Sequence, residues 1–158
     1  MSIELVKNYM KAFGRENDVL EFDVSSATVA LAAEALGVEP GRIAKTLSFK
    51  KDEGCILVVT AGDVKIDNAK YKHTFGLKAK MLNADEAIEL IGHAVGGVCP
   101  FAVKDTVFGI YIDESVKRFK TVFPACGSSN SAIELTPDEL FELSQATAWV
   151  DVTRLMDS

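Results

Sequence analysis

Apolar positions along this chain recur with two different periods, and the switches between them mark out its elements. From residue 3 to residue 13, Ile3, Val6, Tyr9, Met10 and Phe13 share one helical face, and Gly14 closes the segment. Residues 19–24 change to a short strand pattern. Ser25-Ser26 then offers an N-cap to an alanine-rich helix over 28–36 that stops at Gly37. Beyond the Pro40-Gly41 turn, Ile43-Ala44-Lys45-Thr46-Leu47-Ser48-Phe49 predicts a strand. Asp52-Glu53-Gly54 predicts a hairpin turn, with residues 55–60 as the returning strand. Asp67 predicts the cap of a short helix ending before Gly76, and Asn83 with Glu86 a capping box for a helix ending at Gly92. Strands are expected over 107–112, 121–126 and 133–135. Thr136-Pro137-Asp138-Glu139 combines an N-cap, a proline at the first helical position and a glutamate at the third. A last strand is expected over 149–152.

These elements amount to seven or eight strands and five helices. Several strands follow one another through short turns, which breaks a strict βαβ alternation. The expectation is an α/β (α+β) fold with a mixed, curved sheet and helices packed outside it. No internal repeat or Pro/Ser-rich linker divides residues 1–158, so a single domain is expected. Apolar residues at 48% and charged residues at 25% exclude a disordered chain. No apolar run approaches the roughly 20 residues of a membrane helix. Met1-Ser2-Ile3-Glu4-Leu5 lacks the basic and apolar stretches of a signal peptide, which predicts a cytoplasmic protein without membrane contact. Cys55, Cys99 and Cys126 are odd in number and far apart, and two histidines are too few to complete a zinc site. Neither disulfide, metal nor cofactor is expected.

Charge adds one feature. The net charge of −6 excludes indiscriminate nucleic-acid binding. Residues 65–80, however, carry Lys65, Lys70, Lys72, Lys78 and Lys80 against Asp67, a local +4 that leaves −10 on the rest. Such a stretch is either a solvated face or a docking patch for a polyanion.

Lys45 is the most informative single position. Alternation puts it on one strand face with Ile43, Leu47 and Phe49, three large apolar side chains. A lysine there snorkels to solvent, pairs with an acid, or faces a cavity that receives an anion. The loop Gly96-Gly97-Val98-Cys99-Pro100 allows close backbone approach, and its N–H groups can serve as an oxyanion hole or simply form a turn. Cys99 could act as a nucleophile, although no base is placed beside it except His93, six residues away. Gly127-Ser128-Ser129-Asn130-Ser131 is polar enough to hold a ligand and is equally a plain turn. Nucleophile-elbow, Walker-type, dinucleotide and H-E-x-x-H motifs are missing.

Taken in order, Ser26-x-Thr28-Val29, Ala32-Ala33-x-x-Leu36-Gly37-Val38, Ile43-Ala44-Lys45-Thr46-Leu47 and Gly96-Gly97-x-x-Pro100 resemble the YbaK/EbsC family. That family includes the editing domain of bacterial prolyl-tRNA synthetases and its free-standing relatives. The resemblance implies a barrel-like mixed sheet of about seven strands surrounded by helices. It implies hydrolysis, without metal, of the ester of a mischarged tRNA bearing a small amino acid. Lys45 then corresponds to the lysine that anchors the substrate's phosphate or nearby oxygens. Gly96 and Gly97 belong to the G-x-x-x-P loop, ending at Pro100, that meets the aminoacyl carbonyl. Ser26, Thr28, Thr46, Gly127 and Ser128 become substrate-binding candidates, with a water or a terminal ribose hydroxyl as attacker. Where some relatives have a Gly-Lys-Arg-Gly-like turn, this chain has Gly127-Ser128-Ser129-Asn130, and the histidine of the prolyl-enzyme domains is missing there. Those departures leave the substrate open. The implied partners are aminoacyl-tRNA, through the lysines of 65–80, and an aminoacyl-tRNA synthetase. The competing expectation is a non-catalytic nucleotide, aminoacyl-adenosine or tRNA-binding module of the same fold.

Overall fold

The computed structural model describes residues 2–156; Met1, Asp157 and Ser158 lie outside the description. α1 (Ser2–Lys11) turns Val6 and Met10 into the core, and a short β1 (Leu20–Glu21) follows. α2 (Val29–Leu36) is capped by Thr28, whose side chain accepts from the Leu31 N–H, and ends at Gly37 in the left-handed region. The cap is therefore Thr28 rather than Ser25-Ser26; Ser25 Oγ instead accepts from the Ala27 N–H in the preceding turn.

β2 (Ile43–Lys51) and β3 (Gly54–Ala61) form the expected hairpin. Every residue of β3 is buried because both of its faces are covered. Cys55, Leu57 and Val59 enter one cluster with Val6, Met10, Phe101 and Leu140, while Ile56 and Val58 enter a second with Phe49, Tyr71 and Val152. β4 (Val64–Ile66) leads into α3 (Asn68–Phe75), capped by Asp67, and α4 (Ala84–Leu90) starts with the complete Asn83/Glu86 capping box. β5 (Val107–Asp113), β6 (Phe123–Pro124) and β7 (Ser131–Ala132) precede α5 (Pro137–Leu143), which has the Thr136/Glu139 box. β8 (Ala148–Val150) and β9 (Thr153–Leu155) end the described chain.

The main sheet has the order β6-β2-β3-β5-β8, antiparallel at β2/β3 and parallel elsewhere. Two-stranded pairs β1/β7 and β4/β9 accompany it. This is a mixed α/β architecture with helices around the sheets. Four predicted strands are shorter or displaced, the last of them running over Ala148–Val150 instead of 149–152. Residues 121–126 contribute the two-residue β6 and a separate bridge at Val122, since Pro124 has no N–H to extend a ladder. Residues 133–135 keep one bridge, Val122 to Leu135, and the paired residues are Ser131 and Ala132. Residues 19–24 pair only at Leu20 and Glu21.

Asp113 ties the end of β5 to β9. It is 1% exposed, and its Oδ1 accepts from the Val152 N–H (2.8 Å) while Oδ2 accepts from the Ser115 N–H (3.0 Å) and the Thr153 hydroxyl (2.8 Å). A buried carboxylate is stable only when fully hydrogen-bonded in this way. Asp113→Ala strands two buried partners and the half-buried Ser115 N–H, and is expected to cost about 3 kcal/mol in urea unfolding; a loss under 0.5 kcal/mol would show that β9 is held by other contacts.

Candidate active site

β6 accompanies β2 only at Ile43 and Ala44. Between that point and Ser48, where residues 80–82 join the same edge, β2 is uncovered, and a cavity of about 140 Å³ lies between it, the entry to α2 and the loop 94–98. Alanines line much of it: Ala27 and Ala32 from the α2 region, Ala44 from β2, Ala125 and Ala132 from the β6–β7 region. A small side chain at each of these positions leaves room that a larger one would fill.

Five expected residues meet at this cavity: Ser26, Thr28, Lys45, Thr46 and Gly96. Lys45 is half-buried, and its ammonium donates to the Val64 carbonyl. Among the described residues it has no carboxylate within ion-pair distance. Burial holds Lys45 below the ordinary lysine range, and the negative charge of Asp63 partly opposes that shift. Thr46 Oγ1 is buried without a partner among the described residues. A desolvated hydroxyl costs free energy unless something bonds to it, which makes it a feature expected of a site that receives a polar ligand. Ser26 is tied to Ser129 O through its N–H (2.6 Å) and hydroxyl (3.3 Å), so it fixes the cavity wall. The Thr28 hydroxyl is already engaged in capping α2.

The glycine loop divides into two roles. Gly96 adopts φ +96°, which favours glycine, and its N–H and that of Val98 have no partner among the described residues. Val98 lines the cavity as well, and no signal in the sequence distinguished it from its neighbours. The Gly97 N–H is occupied by Ala94 O (2.9 Å). A Cβ on Gly97 would lie 2.7 Å from Gly127 C and Ser128 N, so Gly97 permits backbone contact with the next loop. Gly127 and Ser128 stand behind the cavity. Ser128 Oγ donates to Asn130 Oδ1 (2.9 Å) and lies 2.8 Å from Ser131 Oγ, and Ser131 itself reaches the lining. Pro100 lies elsewhere, in a second cavity of about 460 Å³ with Tyr9, Phe108 and Gln145.

Cys99 and His93 are both 0% exposed. His93 Nε2 donates to Phe101 O (2.7 Å) and is 3.6 Å from Cys99 Sγ, leaving Nδ1 buried without a partner among the described residues. Burial pushes the Cys99 thiol up to about 12, so it stays protonated and is a poor nucleophile. No three His, Cys, Asp or Glu side chains converge on a metal-sized space among the described residues. Nor is any helix among them long and apolar enough to cross a membrane.

Residues 24–143, which hold the whole cavity lining, match the family model described as the aminoacyl-tRNA editing domain. The chain belongs to this family. It is 54% identical over 155 residues to the uncharacterized protein YwhH of Bacillus subtilis (strain 168), covering 98% of each. It is 30% identical over 114 residues to an Enterococcus faecalis protein named as a candidate Cys-tRNA(Pro)/Cys-tRNA(Cys) deacylase, EbsC, covering 71% of this chain and 69% of that one. A solved structure described as a candidate trans-editing enzyme for prolyl tRNA synthetase superposes with a TM-score of 0.86 at 29% identity, over 97% of each chain.

In this editing domain the glycine loop is braced from within by His93. Burial lowers the His93 pKa below its ordinary value, which outweighs the opposing hydrogen bond to Phe101. Because the folded-state pKa is depressed, the stabilisation is complete above about 6.5 and is lost as pH falls through the folded value. Urea midpoints measured from pH 8 down to pH 5 should therefore fall more steeply for wild type than for His93→Gln. Parallel pH profiles would mean that His93 does not titrate on unfolding.

Proposed function

We propose that this chain is a trans-acting aminoacyl-tRNA deacylase that clears a small, wrongly attached amino acid from a tRNA. The observation that carries this reading is the cavity itself, in a chain of the editing family: it joins a lysine without an ion-pair partner, an unpartnered Thr46 hydroxyl and two free loop N–H groups, each so among the described residues. Its volume of about 140 Å³ is well below the roughly 300 Å³ at which drug-sized pockets begin, which suits a small side chain. Among the described residues no carboxylate lines it, which disfavours a cationic one.

Lys45 spends one of its three N–H donors on Val64 O and keeps two for an anionic oxygen of the terminal nucleotide. The N–H groups of Gly96 and Val98 receive the carbonyl oxygen as charge develops on it. Each such donor lowers the barrier by about 3 kcal/mol. Water adds to the carbonyl carbon, the ester C–O bond breaks, and the ribose oxygen leaves with a proton. The neighbouring ribose hydroxyl is close enough by covalent geometry to relay that proton. An ester is already activated, so positioning and oxyanion stabilisation suffice without a side-chain nucleophile.

Docking of the tRNA is assigned to the lysines of 65–80. Lys70 is engaged with Asp151 (3.0 Å) and Thr153 O (2.9 Å), whereas Lys72 and Lys78 flank a separate cavity of about 440 Å³. Lys65 and Lys80 complete the patch, with an aminoacyl-tRNA synthetase as a further partner.

The direct test is a panel of labelled aminoacyl-tRNAs, incubated with wild type and with Lys45→Ala. Rapid ester loss from one or two small-residue species, reduced about 100-fold in the variant, is expected. If every ester decays at its spontaneous rate, the catalytic reading is wrong and the cavity belongs to a binding module. A second expectation concerns pH. Lys45 must be charged to hold an anion, so kcat/KM, corrected for spontaneous hydrolysis, should fall on an alkaline limb below the ordinary lysine value of about 10.4. A flat profile up to pH 10 would remove Lys45 from anion binding.

A further inference from the structure

Lys45 can hold a substrate anion only while no carboxylate of the protein takes its place. The carboxylate that bears on it is Asp63, the residue immediately before the one whose carbonyl accepts the Lys45 ammonium. Asp63 is nevertheless fully engaged elsewhere. Arg118 grips it with both arms of its guanidinium, Nη1 to Oδ2 at 3.1 Å and Nη2 to Oδ1 at 2.5 Å. This two-armed geometry fixes the direction of a carboxylate as well as its charge.

Arg118 is itself held in place. Its Nε donates to Ser115 O (2.9 Å), and its guanidinium lies over the Phe119 ring at 4.8 Å. The 3-10 turn that carries it, Glu114–Arg118, is fastened to the sheet through Asp113 and through Ser115 Oγ, which accepts from the Ala61 N–H (3.0 Å). On the other side, Gly41 packs against Asp63 and Phe119. A Cβ there would come within 2.6 Å of the Phe119 ring and 3.0 Å of Asp63 Oδ2. The other charges that reach Arg118 are Asp113 and Glu39.

Both partners remain partly exposed, so solvent screens the charge attraction even in this two-armed geometry. The place of Asp63 in the chain, one residue before the carbonyl that holds Lys45, suggests a different use. We propose that Arg118 is a positioning residue that holds the Asp63 carboxylate away from Lys45, so that the ammonium is left free for an anionic oxygen of the substrate. The proposal rests on the reading of Lys45 as the substrate anchor.

The test compares wild type with Arg118→Ala, Asp63→Asn and the double variant. For Arg118→Ala, KM for the aminoacyl-tRNA should rise about fivefold, the size of one partly exposed ion pair, with kcat unchanged. Adding Asp63→Asn should restore KM, because the competing carboxylate is gone. A merely structural clamp would leave the double variant as impaired as Arg118→Ala, and that result would overturn the proposal.

A second readout needs no activity. In protein labelled with ¹³C at the lysine ε-carbon, Lys45 should titrate at higher pH in Arg118→Ala, and at or below the wild-type value in the double variant. An unmoved Lys45 titration in Arg118→Ala refutes the proposal even if KM changes. If wild type shows no deacylation, the functional reading fails by itself, and the Lys45 titration still decides what Arg118 does.

Discussion

The half-buried ammonium of Lys45, held by the Val64 carbonyl, is the contact around which the rest of the candidate site is organised. A cation in that position loses hydration, and one carbonyl does not replace it. The surroundings compensate through position rather than through a direct counter-charge. Val64 belongs to β4, β4 is held by β9, and β9 hangs from the buried carboxylate of Asp113 at the end of β5. Three short pieces of chain, distant in sequence, therefore set where one lysine ends. The cost of that arrangement is met by the burial of β3 on both faces, which gives the sheet its stability independently of the site.

The opposite wall follows a different logic, in which small residues and bare backbone create space. Pairing between β2 and β6 stops at Ala44, next to Pro124, so the sheet opens where the cavity begins. Gly97 lets one loop touch the backbone of another, while the N–H of the left-handed Gly96 has no partner among the described residues. The chemistry available there is that of donors and a cation, a set suited to stabilising an oxyanion. The buried thiols of Cys99 and Cys126, both raised far above the neutral range by desolvation, contribute packing.

What the sequence made legible was local. A lysine amid alternating apolar residues pointed to Lys45, and the boxes at Asn83/Glu86 and Thr136/Glu139 announced their helices because each partner lies within one turn. β4 and β9 escaped notice because each is three residues long and exists only through pairing with the other end of the chain. The shortened β6 was readable in principle, since Pro124 interrupts any ladder. Around the site, proximity in sequence misled in both directions. Pro100 follows the glycine loop but lines another cavity, and Ser128 backs Ser131 rather than reaching the lining itself. Ala132 and Val98 do line it, although their side chains carry no chemistry that a motif could flag.

The central claim is that the alanine-lined cavity beside Lys45 is where the aminoacyl end of a tRNA binds. The most direct measurement is an amide-resolved NMR titration with a non-hydrolysable 3′-amide of alanyl-adenosine monophosphate. The account predicts shifts concentrated at Ser26, Ala27, Lys45, Thr46, Gly96 and Val98, and their loss in Lys45→Ala. Shifts centred instead on Tyr9, Phe108 and Gln145, around the second cavity, would contradict it.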